Sequence, residues 1–153
     1  MGYNQPELVL LAVTQAHAAP IRDLSLGDVV RDYLSAQGPI TRVAPLQKSD
    51  LDGDGRPEAI LDYCVNDIGP GDDNEGASNP ANIDCHVAIF GETKRHWKIE
   101  DSAELGQGKI QKVQHGIIYV DRLDYADNDP LCCPTKHLYL KYSFINKGLV
   151  LLN

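Results

Sequence analysis

Apolar residues return at helical spacing in one stretch of the chain. Across residues 26–36, Leu26, Val29, Val30, Tyr33 and Leu34 share a face. Ser25 stands before them as an N-cap, Asp28 sits near the positive end of the helix dipole, and Gly38-Pro39 stops the helix. Beyond Pro39 the pattern becomes strand-like. Strands are predicted at 40–47, 58–65, 84–90, 96–99, 109–114, 116–125, 135–144 and 149–152, with Pro45 making the far end of the first an edge. The stretch 135–144 is the most regular: Leu138, Leu140, Tyr142 and Phe144 point one way, and His137, Tyr139, Lys141 and Ser143 the other. Asn146-Lys147-Gly148 is a turn signal before the last strand. Strands joined by short turns pair antiparallel, because parallel neighbours need long crossovers. The expected fold is α+β, an antiparallel β-meander sheet covered by one amphipathic helix. The long irregular loop from Asn66 to Ile83 interrupts it.

The 153 residues suffice for one core of ordinary size, so residues 20–153 read as a single domain. A composition 42% hydrophobic and 24% charged excludes a wholly disordered chain and a multi-span membrane protein. Residues 8–13 form a short apolar run, and Ala16-His17-Ala18 resembles a small-residue cleavage site. The basic start of a signal peptide is missing. Residues 1–19 therefore read either as an export-signal remnant or as an ordinary N-terminal helix. No later segment reaches the ~18 apolar residues of a membrane span.

Charge changes this picture by where it sits. Net charge is −8, which leaves little basic surface for a nucleic-acid backbone. Between Asp50 and Asp84 lie ten carboxylates and one base, Arg56, so this stretch alone carries −9. Within its long loop, Asp67, Asp72, Asp73 and Glu75 have no base among them. Such a patch steers a basic protein partner, and these four are the expected partner-binding residues.

Cys64, Cys85, Cys132 and Cys133 are an even number without Cys-x-x-Cys spacing, which favours disulfides and a periplasmic or secreted location. A bridge from Cys64 to Cys85 across the acidic loop is the simplest pairing. Cys132 and Cys133 then form a vicinal bridge or stay reduced; in the other two pairings each reaches back to one of the first pair.

The most specific chemistry is Asp50-Leu51-Asp52-Gly53-Asp54-Gly55-Arg56-Pro57-Glu58. Carboxylates at relative positions 1, 3 and 5 wrap a hard cation, glycine at 6 allows the sharp turn, and position 7 offers a carbonyl. Position 12 is Leu61, so the bidentate glutamate of an EF-hand is missing, and strand-like residues flank the loop where helices would stand. The segment resembles the FG-GAP or VCBS type of calcium loop, found between two strands in many secreted bacterial proteins. That resemblance implies Asp50, Asp52, Asp54 and Glu58 as side-chain ligands, Arg56 as a carbonyl ligand, and calcium as the ion. Four acids within nine residues repel one another unless a cation offsets them.

A second, shorter resemblance lies in Asp129-Pro130-Leu131-Cys132-Cys133-Pro134-Thr135, which is similar to a segment of secreted actinobacterial lipoproteins of the LppP/LprE type. It implies compartment and fold rather than activity. The chain has no Gly-x-Ser-x-Gly, no phosphate-binding glycine loop and no His-Glu-x-x-His. The expected function is a non-enzymatic, exported calcium-binding module that binds another protein, such as a periplasmic inhibitor or immunity protein against a cell-wall hydrolase. The alternatives are a calcium-dependent hydrolase with unidentified catalytic residues and a structural envelope protein.

Overall fold

The computed structural model describes residues 24–66 and 82–152. The expected signal remnant or helix at 1–19 and the acidic positions Asp67, Asp72, Asp73 and Glu75 lie outside the described residues. Among the described residues one helix, α1 (Leu26–Ser35), precedes eight strands: β1 (Ile40–Val43), β2 (Gln47–Ser49), β3 (Glu58–Asn66), β4 (Ile83–Thr93), β5 (His96–Gln114), β6 (Ile117–Asp124), β7 (Lys136–Ile145) and β8 (Gly148–Leu152). Every strand pairing is antiparallel, and the class is α+β. The order is β1-β3-β4-β5-β6-β7-β8, with β2 also on β3. Among the described residues no helix is long and apolar enough to cross a membrane.

Local chemistry accounts for most boundaries. The Ser25 hydroxyl oxygen accepts the Asp28 N–H at 3.2 Å and caps α1 as expected. Lys94-Arg95, His115-Gly116 and Asn146-Lys147 all hold positive φ, the two-residue turn geometry that matches strand twist and joins β4–β5, β5–β6 and β7–β8. Two expectations need correcting. The strand predicted over 40–47 is broken into β1 and β2 around Pro45, which has no N–H for a ladder. The strands predicted at 96–99 and 109–114 are one strand of 19 residues. The polar run between them reads as a break in sequence, but its ladder to β4 and then to β6 continues.

β3 and β4 are buried on both faces. Ala59, Leu61, Tyr63, Val65, Ala88 and Phe90 pack under α1 against Val30, Val29, Tyr33 and Trp97. The opposite face carries Ile60, Cys64, Cys85, Val87 and Ile89, which pack against Leu105, Ile118, Val120, Tyr142 and Phe144. The sheet therefore bends within β5, and β6–β8 fold back over β3 and β4 to enclose a second core. Cys64 and Cys85 are cross-strand partners joined by a disulfide, and Cys132 and Cys133 form a second, vicinal one.

Two aspartates tie the folded-over halves together. Asp62, 4% exposed and between Ile60 and Cys64 on the inner side of β3, accepts the Ile110 N–H from β5 at 2.9 Å and the Arg42 guanidinium at 2.6 Å. Across the molecule Asp101 on β5 accepts the Leu149 N–H of β8 at 2.6 Å. Each carboxylate satisfies a backbone donor at a strand edge that no neighbouring ladder reaches.

Asp62→Ala should destabilise the protein by about 3 kcal/mol, because it leaves the Ile110 N–H without its acceptor and Arg42 without its counter-ion. Asp32→Ala, on the exposed side of α1, should stay within about 0.5 kcal/mol. Urea unfolding of both variants checks the contrast. Protein unfolded without reductant should take up no thiol-alkylating reagent, and mass spectrometry should count four modified cysteines only after reduction.

Candidate metal centre

Loop 50–58 connects β2 to β3 and is anchored from its own middle. Leu51 is buried in the inner core, so the residues on either side of it, Asp50 and Asp52, are held at the surface around it. The loop's backbone donors turn inward onto its carboxylates. Asp50 accepts the N–H groups of Gly53 and Gly55 at 2.8 and 2.9 Å, and Asp52 accepts that of Asp54 at 3.1 Å. Gly53 and Gly55 adopt φ of 77° and 85°, the left-handed conformation that lets the chain coil this tightly. A second hairpin braces the loop from outside. A Cβ on Gly116, in the β5–β6 turn, would stand 3.0 Å from the Leu51 carbonyl oxygen.

The carboxylate oxygens of Asp50, Asp52 and Glu58 lie within 4.8 Å of one another. Glu58 opens β3 and is 3% exposed. Its Oε2 accepts the Leu51 N–H at 2.7 Å. Burial pushes the Glu58 carboxyl above its usual range, and the charges of Asp52 and Asp54 push the same way, against the Leu51 hydrogen bond. Asp54 stands apart from this triad. Its carboxylate accepts the Arg56 N–H at 2.7 Å and pairs with the Arg56 guanidinium at 3.3 Å.

The β7–β8 turn supplies a second cation, since the loop's own Arg56 is paired with Asp54. Lys147 Nζ lies 3.2 Å from Asp52 Oδ2. Burial alone would raise the Asp52 carboxyl, but the Asp54 N–H and the Lys147 ammonium outweigh it and hold this group below its usual range. The hydrogen bond to Asp52 in turn raises the Lys147 ammonium. In sequence Lys147 is only part of a turn signal. The one hint of its role was the charge of the 50–84 stretch, which has a single internal base to offset ten acids.

This donor set fits a hard divalent cation. Three carboxylates face one ammonium, and the two negative charges left over match one such ion. Asp50, Asp52 and Glu58 are the residues that could hold one.

Glu58→Gln keeps the shape and the Leu51 hydrogen bond while removing a buried charge. Because folding raises the glutamate's pKa, its ionisation opposes folding: the cost is absent below the unfolded value and grows as pH rises through the folded one. In chelator, the variant should match the wild type at acid pH, where Glu58 is protonated folded and unfolded alike, and exceed its stability at neutral pH. Thermal melts across that range read the gap.

Compared with family models, curated proteins and solved structures, the chain matches none, and the chemistry of this loop is read from its own atoms.

Proposed function

We propose that the protein is an exported, non-enzymatic binding module in which loop 50–58 takes a calcium ion of the FG-GAP or VCBS kind. Its target is a basic protein, with a cell-wall hydrolase that it inhibits as the leading case. The observation that carries the metal reading is the excess of negative charge at Asp50, Asp52 and Glu58, which Lys147 reduces from three to two but does not close. Calcium is favoured over magnesium because the donors are protein oxygens on a coiled loop, and magnesium holds its water more tightly. Two disulfides support export, since oxidised cysteine pairs persist outside reducing compartments. Net charge of −8 supports a basic target drawn in by long-range attraction. The scaffold is read as a meander: from β3 to β8 each strand lies beside its sequence neighbours, under one amphipathic helix.

Calcium should raise the melting temperature by binding the native state alone, with about 2.7 kcal/mol of stabilisation at a concentration 100-fold above the dissociation constant. Magnesium at the same concentration should do less, and Asp50→Asn with Asp52→Asn should abolish the increment. An identical melting curve in millimolar calcium and in chelator would refute the metal. For the partner, purified protein should slow cell-wall lysis by a basic lysozyme-type hydrolase, more strongly at low salt than at high salt. If a panel of such enzymes neither binds nor slows, the inhibitor reading is wrong.

A further inference from the structure

A cavity of about 420 Å³ lies between the β1–β3–β4 end of the sheet and the strands β5, β6 and β7, within the ~300–1,000 Å³ range of small-ligand pockets. It shares no residue with loop 50–58 and does not depend on the metal reading. Its apolar wall is the Cys64–Cys85 bridge with Ile83 and Leu123, and its charged groups are Arg42, Lys109, Asp121 and His137.

Most of those charged groups are already engaged. Arg42 donates from Nη2 to Asp62 and to the Gly108 carbonyl, and from Nε to Cys64 Sγ. Asp121 Oδ1 lies 2.8 Å from His137 Nδ1, which fixes the imidazole and leaves Nε2 as its remaining polar atom. Lys109 is the exception. It stands directly across the β5–β6 ladder from Asp121, yet Asp121 is committed to His137, and among the described residues Lys109 forms no ion pair. The surrounding face adds to its field. Strand alternation and the bulge after Ile110 put Lys109, Lys112 and Lys141 on the same side of β5–β7, and among the described residues Asp121 is the carboxylate paired across the ladder on that side. The Lys112 and Lys141 ammonium groups lie 4.7 and 5.7 Å from the Tyr119 ring centre. An acidic protein thus presents a locally cationic face beside an apolar recess.

We propose that this cavity binds a small organic carboxylate. Its anionic head pairs with Lys109 beside the His137 imidazole, and its hydrocarbon body lies on the Cys64–Cys85 bridge, Ile83 and Leu123. One uncommitted ammonium suits a single negative charge, and the apolar wall suits a hydrocarbon rather than a bare inorganic ion.

The test is a titration of isotope-labelled protein with hexanoate, followed by amide chemical shifts, with hexylamine and hexanol as charge controls. Hexanoate should give saturable shifts at Lys109, Asp121, Leu123 and His137, and the amine should give none there. Lys109→Gln should weaken hexanoate by about tenfold, the usual effect of losing one charge-assisted contact. Lys112→Gln, which lies outside the cavity, should change it by less than about twofold. A thermal melt establishes that each variant is folded, and the wild-type contrast between acid and amine stands without any variant. Absence of saturable shifts, equal shifts from hexylamine, or an unchanged dissociation constant in Lys109→Gln would overturn the proposal.

Discussion

A carboxylate stands in the middle of the inner core face, and the folded-over sheet depends on it. Asp62 sits on β3 at a position whose neighbours, Ile60 and Cys64, are apolar and buried. There it links the paired strands β3 and β1, the latter through Arg42, to the second half of β5 through the Ile110 N–H, a segment that no backbone ladder connects to either of them. An apolar residue in its place would pack, but it would strand a donor at the β5 edge. That donor sits where the β5–β6 register slips between Ile110 and Lys112, so the irregularity and the carboxylate answer each other. Asp101 plays the matching part for β8. Side-chain carboxylates thus serve where continuous strand pairing stops, which keeps both seams closed without forcing the sheet into one unbroken ladder.

The same packing decides where the acidic loop can place its charges. Burying Leu51 between two aspartates holds the loop against the core, and the Glu58 carboxylate bonded to the Leu51 N–H locks the start of β3 to that anchor. The arrangement brings acids together at a cost: Glu58 is desolvated beside Asp52, and Asp54 is drawn away by Arg56. Lys147 arrives from a hairpin 95 residues from Asp52 in sequence, so part of the loop's neutralisation is made by the fold. A divalent cation completes it in our proposal. The β5–β6 turn limits how far the loop can relax, because Gly116 lies against the Leu51 carbonyl. Loop 50–58 and the sheet halves are therefore coupled through contacts at Leu51, Gly116 and Lys147.

The Cys64–Cys85 bridge occupies a boundary of a different kind. On one side it belongs to the inner core, and on the other it lines the cavity beside Lys109 and His137. A cross-strand bridge at that point holds β3 and β4 in register beside the recess whatever enters it. The vicinal bridge lies in a loop organised around Asp129, whose carboxylate accepts the Ala126 and Thr135 N–H groups at 2.7 and 2.8 Å. These hydrogen bonds hold the Asp129 carboxyl below its usual range.

Local patterns were legible wherever neighbours in sequence supply the physics. The 3.6-residue spacing of Leu26 to Leu34, the Ser25 cap, the alternation along 135–144 and the Asn146-Lys147 turn each depend on contacts within a few residues. So does the Asp-x-Asp-x-Asp-Gly run, whose glycines and carboxylates coil the backbone on themselves. The continuity of β5 was not legible, because Glu100, Asp101 and Glu104 look like a loop until the strand is seen to have a partner on each half, with the Asp101 carboxylate bonded to β8 and Glu104 exposed. Nor was the role of Asp62, which alternation alone marks as a core position and therefore as a misfit. Which carboxylates converge was decided by tertiary contacts: Glu58 joins Asp50 and Asp52 because Leu51 is buried, while Asp54 leaves with Arg56. Lys147 over the loop and Lys109 beside the cavity were decided the same way. Pairings this distant in sequence carry no periodicity, and only the bend of the sheet brings them within reach.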